Sequence, residues 1–194
     1  MTKSSALSPD NKIARAALKL AARHAWDDLT LAQIAKTAKL TLPQVRKHFS
    51  DTHSIIPAIV RLIDDETAKA VGKVDPRDSA HDRLFEILMA RFDALQSHRS
   101  GILSIAKACR SSPQRAHAVL KAQRESMQKM FQLAHLETGG AHRIVHQMGL
   151  YILYLLVLFR WQQDRTKDMA PTMATLDRAL KLAESIRNHT IIMD

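Results

Sequence analysis

Between Thr41 and Phe49 the chain reads TLPQVRKHF, which places four polar or charged side chains nearly in succession: Gln44, Arg46, Lys47 and His48. An amide such as Gln44 can pair with the edge of adenine, and a guanidinium such as Arg46 with guanine. An ammonium or imidazole such as Lys47 or His48 can meet a phosphate. These chemistries need a rigid element to present them. Thr41 and Gln44 have the spacing of a capping box, in which the hydroxyl accepts from a first-turn amide and the Gln side chain reaches back to the cap amide. Val45 and Phe49, four apart, give that helix one apolar side, with Leu42 at its edge. Pro43, Gln44, Arg46, Lys47 and His48 are left on the outward side.

Stepping upstream, Thr30 and Gln33 repeat the capping-box spacing, and Leu31, Ile34, Ala35 and Ala38 share one face. Only Lys39, Leu40 and the cap Thr41 separate the two helices, so they must meet at a steep angle. The pattern predicts a helix-turn-helix whose second helix can enter a DNA major groove. Thr30, Lys39, Thr41, Leu42 and Pro43 complete the expected contact set. Short polar helices joined by a tight turn also occur as plain solvated surface in all-α proteins.

Charge agrees with a polyanionic partner. The formal net charge is +10, and residues 1–50 carry nine basic and three acidic side chains, a local +6. An anionic membrane surface would be attracted by the same field. The single cysteine, Cys109, permits no internal disulfide. The opening MTKSSALSPD lacks the apolar core of a signal peptide, and the run Leu150 to Phe159 is half the ~20 residues needed to span a bilayer. The expectation is a cytoplasmic protein without stable membrane insertion.

Helical periodicity continues to the end, with no strand pattern and no repeat. Ser8-Pro9-Asp10 starts a first helix with an alanine-rich face, preceded by an expected disordered stretch at residues 1–7. Trp26 and Leu29 are expected to plug the base of the first bundle. Ser50-Asp51 caps a fourth helix running to about Val71, either kinked at Pro57 or beginning just before it. GKVDPRD, 72–78, is the best boundary. Beyond it the pattern predicts helices over about 79–96, 102–109, 112–137 and 141–164, the third of these stopped by Gly139 and Gly140, and a last one over about 169–188. Asp64, Asp65 and Glu66 read as a solvated helix edge. AHRIVHQMGLYILYLLVLFRWQQD is apolar on every side through its middle, which demands burial all round. One small subunit cannot easily supply that, so the last two helices are expected to form a four-helix seam between two copies through Leu155, Leu156, Phe159, Met173, Leu176 and Leu180.

Enzyme chemistry finds little support. Ser104 and Lys107 have a Ser-x-x-Lys spacing without its companion motifs. His142 and His146 lie one turn apart with no third ligand in sequence. No phosphate loop, dinucleotide fingerprint or nucleophile elbow is present, so no catalytic residue, metal or cofactor is expected.

The stretch from Ile13 to about Ile63, with KIARAALKLAARHAW, LTLAQIAKTAKLT and VRKHFSD, resembles the DNA-binding domain of the tetracycline-repressor (TetR) family. That resemblance implies an all-α fold of about nine helices: an N-terminal helix-turn-helix bundle with connecting helix at 8–71, and an effector-binding and dimerisation domain at 79–190. It also implies a homodimer on double-stranded operator DNA, with the third helix reading the sequence, and a small-molecule effector among the later helices. Three positions depart from the family pattern: Lys39 stands for the usual Gly, Arg46 for the usual Tyr, and Thr52 for the usual Lys. Phe85, Met89, Phe92, Met127, Phe131, Tyr151, Tyr154 and Trp161 are the candidate pocket lining, although each taken singly reads equally as core. A second resemblance, carried by DRLFEILMARFDALQSHRSGI and by FRWQQD with MATLDRAL, is to ubiquinone-biosynthesis accessory proteins of TetR-like fold. It implies isoprenoid-lipid binding in place of DNA binding.

Overall fold

In a computed structural model, residues 8–136 and 142–191 are described, without the side chains of 142–146 and 186–191. The described residues form nine α-helices and two 3-10 turns, with no strand among them: α1 Pro9–Ala21, α2 Leu31–Ala38, α3 Leu42–Arg46, α4 Ile56–Val71, α5 Ala80–Ser97, α6 Arg99–Cys109, α7 Pro113–Leu133, α8 His142–Gln163 and α9 Ala170–Ile191. The expectations for residues 1–7, for the Gly139–Gly140 stop and for the His142–His146 pair lie outside the described residues and side chains. None of the described helices is long and apolar enough to cross a membrane.

The helices begin where local chemistry dictates. Ser8 Oγ accepts from Asn11 N at 3.2 Å, and Pro9 occupies the first turn of α1, where its missing N–H costs nothing. Asp51 Oδ1 accepts from Ser54 N at 2.8 Å while Ser54 Oγ donates to Asp51 O at 2.7 Å. The Ser54 N–H holds the Asp51 carboxyl below its usual range, against the opposing effect of burial. The 3-10 turn His53–Ile55 follows, and α4 then opens at Ile56 with Pro57 in its first turn. Of the two arrangements open for Pro57, the helix therefore takes the one that starts just before it.

Two compact units are present, one of residues up to Glu66 with Ala94–Gln123, the other of Thr67–Asp93 with Arg124 onward. In the first, α1 packs on α2 and on α6, and α2 on α3. Its core runs through Ile13, Ala17, Leu18, Ile34, Val45, Phe49, Ile55 and Leu62, with Trp26 at 1% exposure and Leu29 at 5% closing the base. Gly101 lets α6 approach α1 at backbone contact: a Cβ there would lie 2.6 Å from Leu18 O. Arg115, at 9% exposure, ties three segments together by pairing with Asp27 at 2.8 Å, donating from Nε to His53 Nδ1 at 3.1 Å, and donating to Ala108 O.

The acidic run of α4 is not a solvated edge. Asp64 is 4% exposed, and Glu66 pairs with Arg15 and, at 3.0 Å, with His98; Asp65 alone is exposed, accepting from Asn11. Ser104 has a structural task as well, accepting from Trp26 N at 3.0 Å and donating to His24 O at 3.3 Å.

In the second unit α8 packs along α9 over a core that includes Ile87, Leu88, Met130, Val157 and Leu176. The turn between them is fastened by Asp164. Its carboxylate accepts from Thr172 N and Oγ1 at 3.0 and 2.7 Å and from Thr166 N and Oγ1 at 2.9 and 2.7 Å. Burial by itself would raise the Asp164 pKa, but these hydrogen bonds outweigh it and lower the value to about 2.

Candidate nucleic-acid interface and ligand cavity

Both capping boxes form. Gln33 Oε1 accepts from Thr30 N at 2.8 Å, and Gln44 Oε1 accepts from Thr41 N at 2.8 Å and from Thr41 Oγ1 at 3.0 Å. The α2–α3 turn is closed by Lys39 at φ 57°, ψ 43°, in the left-handed region. Leu40 N donates to Ala35 O and Lys39 N to Lys36 O, the paired bonds of a Schellman turn. The left-handed residue of such a turn is usually Gly, because an L side chain is strained there. Lys39 adopts the conformation regardless.

That turn and the burial of Val45 (0% exposed) and Phe49 (4%) fix which way α3 faces. Thr30, Lys39, Thr41, Pro43, Gln44, Arg46, Lys47 and His48 are exposed and Leu42 half-buried. Lys39, Arg46 and Lys47 meet no carboxylate among the described residues. Two of the outward residues are committed elsewhere. Gln44 holds its cap through its only carbonyl oxygen, so it cannot also present both amide atoms to an adenine; its NH2 group remains for a single bond. His48 Nδ1 lies 2.8 Å from Asp10 Oδ1, with Arg61 at 3.8 Å from the other Asp10 oxygen. This orients the ring so that its remaining nitrogen is Nε2. Thr52, where the family pattern has Lys, is half-buried and offers no charge.

The eight candidate pocket residues separate in the structure. Met127, Phe131 and Tyr151 line a cavity of about 220 Å³ between α7 and α8, together with Arg124, Gln128, Gln147 and Met148. Phe92, Tyr154 and Trp161 are sealed core at 0–1% exposure: Phe92 stacks on Tyr154 at 5.9 Å, and Arg91 Nε donates to Tyr154 Oη at 3.0 Å. Phe85 stacks on His81 at 6.2 Å, and Met89 is half-buried; neither borders the cavity. The four lining residues absent from the sequence-based set are mostly polar. Their signal was positional: Arg124 with Gln128, and Gln147 with Tyr151, each stand one turn apart.

The seam residues divide as well. Leu156 is 59% exposed, Phe159 62% and Met173 42%, with Ile152 and Met148 continuing the row on α8 and Leu182 on α9. Leu155 is half-buried, while Leu176 (1%) and Leu180 (3%) are buried within their own chain. Thus α8, apolar on every side, has one face that its own subunit leaves uncovered.

No family model and no curated protein matches the sequence. Solved structures do match. A TetR transcriptional regulator from Nitrosomonas europaea superposes with a TM-score of 0.72 at 21% identity, covering 90% of this chain and 97% of that one. One from a Rhodococcus species gives 0.59 at 20% identity over 89% and 92%. A TetR-family regulator from Streptomyces coelicolor gives 0.63 at 16% identity over 95% and 85%. The resemblance to ubiquinone-biosynthesis accessory proteins is not shown by these comparisons. From the helix order, the capped helix-turn-helix and these superpositions together, the chain has the fold of the TetR-family transcriptional regulators.

Proposed function

We propose that the protein is an operator-binding transcriptional repressor of the TetR type. It acts as a homodimer, reads DNA through residues 8–71, and is released by a small molecule bound within residues 79–190. The observation that carries the reading is the outward side of α3 and its turn. Lys39, Arg46 and Lys47 stand exposed without carboxylate partners among the described residues, on a helix fixed by Val45 and Phe49 beneath. Arg46 suits a guanine edge, Lys47 and Lys39 suit phosphates, and His48, held by Asp10, offers Nε2 to a further phosphate. The exposed row Ile152, Leu156, Phe159 and Met173 supports a twofold partner, since apolar side chains aligned along two adjacent helices match a four-helix seam. A dimer sets two reading helices one helical turn apart, ~34–36 Å, and a ligand releases DNA only by binding a different spacing more tightly.

Fluorescence polarisation with duplex DNA from the region flanking the gene tests this. Lys47→Ala lowers affinity for every sequence and reduces the salt slope by about one, whereas Arg46→Ala relaxes preference at one base pair by ~1–3 kcal/mol. If both variants leave affinity and salt slope at the wild-type values, α3 does not read DNA.

A further inference from the structure

We infer that the cavity between α7 and α8 takes a small organic anion, a single aromatic ring bearing a carboxylate. The inference deepens the effector part of the proposed function and rests on it only for its effect on DNA.

The two walls are amphipathic in a matched way. On α7, Met127 (1% exposed) and Phe131 (9%) form a buried floor one turn apart. Arg124 and Gln128, also one turn apart on α7, are exposed at the rim. From α8, Gln147 and Tyr151 face them as half-buried polar groups, and Met148 adds a second thioether. Burial, and after it the neighbouring Tyr154, raises the Tyr151 pKa against the pull of Arg124, so its phenol stays protonated.

Size limits the occupant. At about 220 Å³ the space is half as large again as a ~150 Å³ cavity that holds benzene. One ring and a substituent of a few atoms fill it. The thioethers of Met127 and Met148 and the phenyl ring of Phe131 favour a flat aromatic body.

Charge decides the rest. Among the described residues Arg124 is the one ionic group of the lining, and no described carboxylate pairs with it. A cationic ligand would face that guanidinium with no acidic group among the described lining residues to offset it. A carboxylate at the rim instead receives a two-pronged, charge-assisted hydrogen bond, with the Gln128 and Gln147 amides alongside. Met148 also heads the exposed row that includes Ile152, Leu156 and Phe159, so an occupant touches a side chain shared with the proposed seam.

Three probes of nearly equal shape test the assignment by calorimetry on the full chain: benzoate, benzamide and benzylammonium. Benzoate should bind saturably and at least tenfold tighter than benzamide, with no detectable binding of benzylammonium. Arg124→Gln, on an exposed position that leaves the fold intact by circular dichroism, should erase the tenfold preference and leave benzamide unchanged. The assignment is overturned if benzoate and benzamide bind alike, if the preference survives Arg124→Gln, or if no probe binds. The titration contains no DNA, so a protein that recognises no operator can still return the expected result. An operator-binding protein indifferent to benzoate overturns this inference alone.

Discussion

Lys39 allows backbone strain and surface charge to be separated in one pair of variants. Its left-handed conformation is imposed by the Schellman turn joining α2 to α3, and its side chain is exposed. An L residue in that region is strained by roughly 1–2 kcal/mol relative to a right-handed one. Glycine escapes the strain but loses ~0.5–1 kcal/mol more in conformational entropy on folding. Lys39→Ala removes the charge and keeps the strain; Lys39→Gly removes both. The glycine variant should therefore be more stable than the alanine variant by about 0.5–1 kcal/mol. For a chain of this size that is ~1–4 °C in melting temperature. Urea denaturation, with thermal melts beside it, reads the difference. Against DNA the two variants should lose the same salt dependence, about one counterion, because they lose the same charge. If Lys39→Gly melts no higher than Lys39→Ala, the turn is not strained and the argument for its geometry fails.

Other outcomes follow from the same geometry. Gln44→Ala should cost about 0.5–1 kcal/mol of stability by opening the α3 cap, while changing base preference less than Arg46→Ala does; a larger specificity change than stability change refutes the capping assignment. Gly101→Ala should destabilise by ~1–3 kcal/mol although alanine favours helices, because its Cβ would meet Leu18 O at 2.6 Å; a neutral or stabilising result in urea denaturation shows that α6 can move away. The lowered pKa of Asp164 means that its carboxylate stabilises the fold above the unfolded value near 3.8 and that this is lost as pH falls toward 2. That contribution is at most ~2.5 kcal/mol and about 1 after solvent screening, so Asp164→Asn should flatten the acid limb of the stability curve between pH 4 and 2. Phe159→Asp, at a position 62% exposed, should convert a dimer to a folded monomer in light scattering; an unchanged dimer places the seam elsewhere.

The helix-turn-helix could be read from the sequence because its signals are local. Each capping box is complete within four residues, and Val45 and Phe49 set the facing of α3 by their spacing alone. Gln44 shows the limit of that reading. Its type suits both a cap and a base contact, and only the bond to Thr41 shows that the carbonyl is already used. The second unit was less legible, because its helices are apolar over wide arcs. Periodicity then leaves the rotational setting of α5 and α8 open, and that setting decides whether Phe92 and Trp161 become core or lining. Leu176 and Leu180 read as seam residues for the same reason: in a helix of this composition, the face toward α8 and the face toward a second copy look alike in sequence. Asp64 and Glu66 read as solvated because their partners, Arg15 and His98 in the case of Glu66, are distant in sequence.

The contact at Gly101 has a mechanical consequence. Helices usually meet through interlocked side chains at 8–10 Å between axes, and that layer yields by rotamer changes when one helix turns or slides. Where backbone rests on backbone, as α6 does on the Leu18 carbonyl, no such cushion exists. Rotation of α6 about its own axis would carry Ile102 or Leu103 into α1, so the two helices behave as keyed shafts that can move only together. Displacement of α6 therefore reaches α1 undiminished, and the amides flanking Leu18 and Gly101 should open to hydrogen exchange as a single unit.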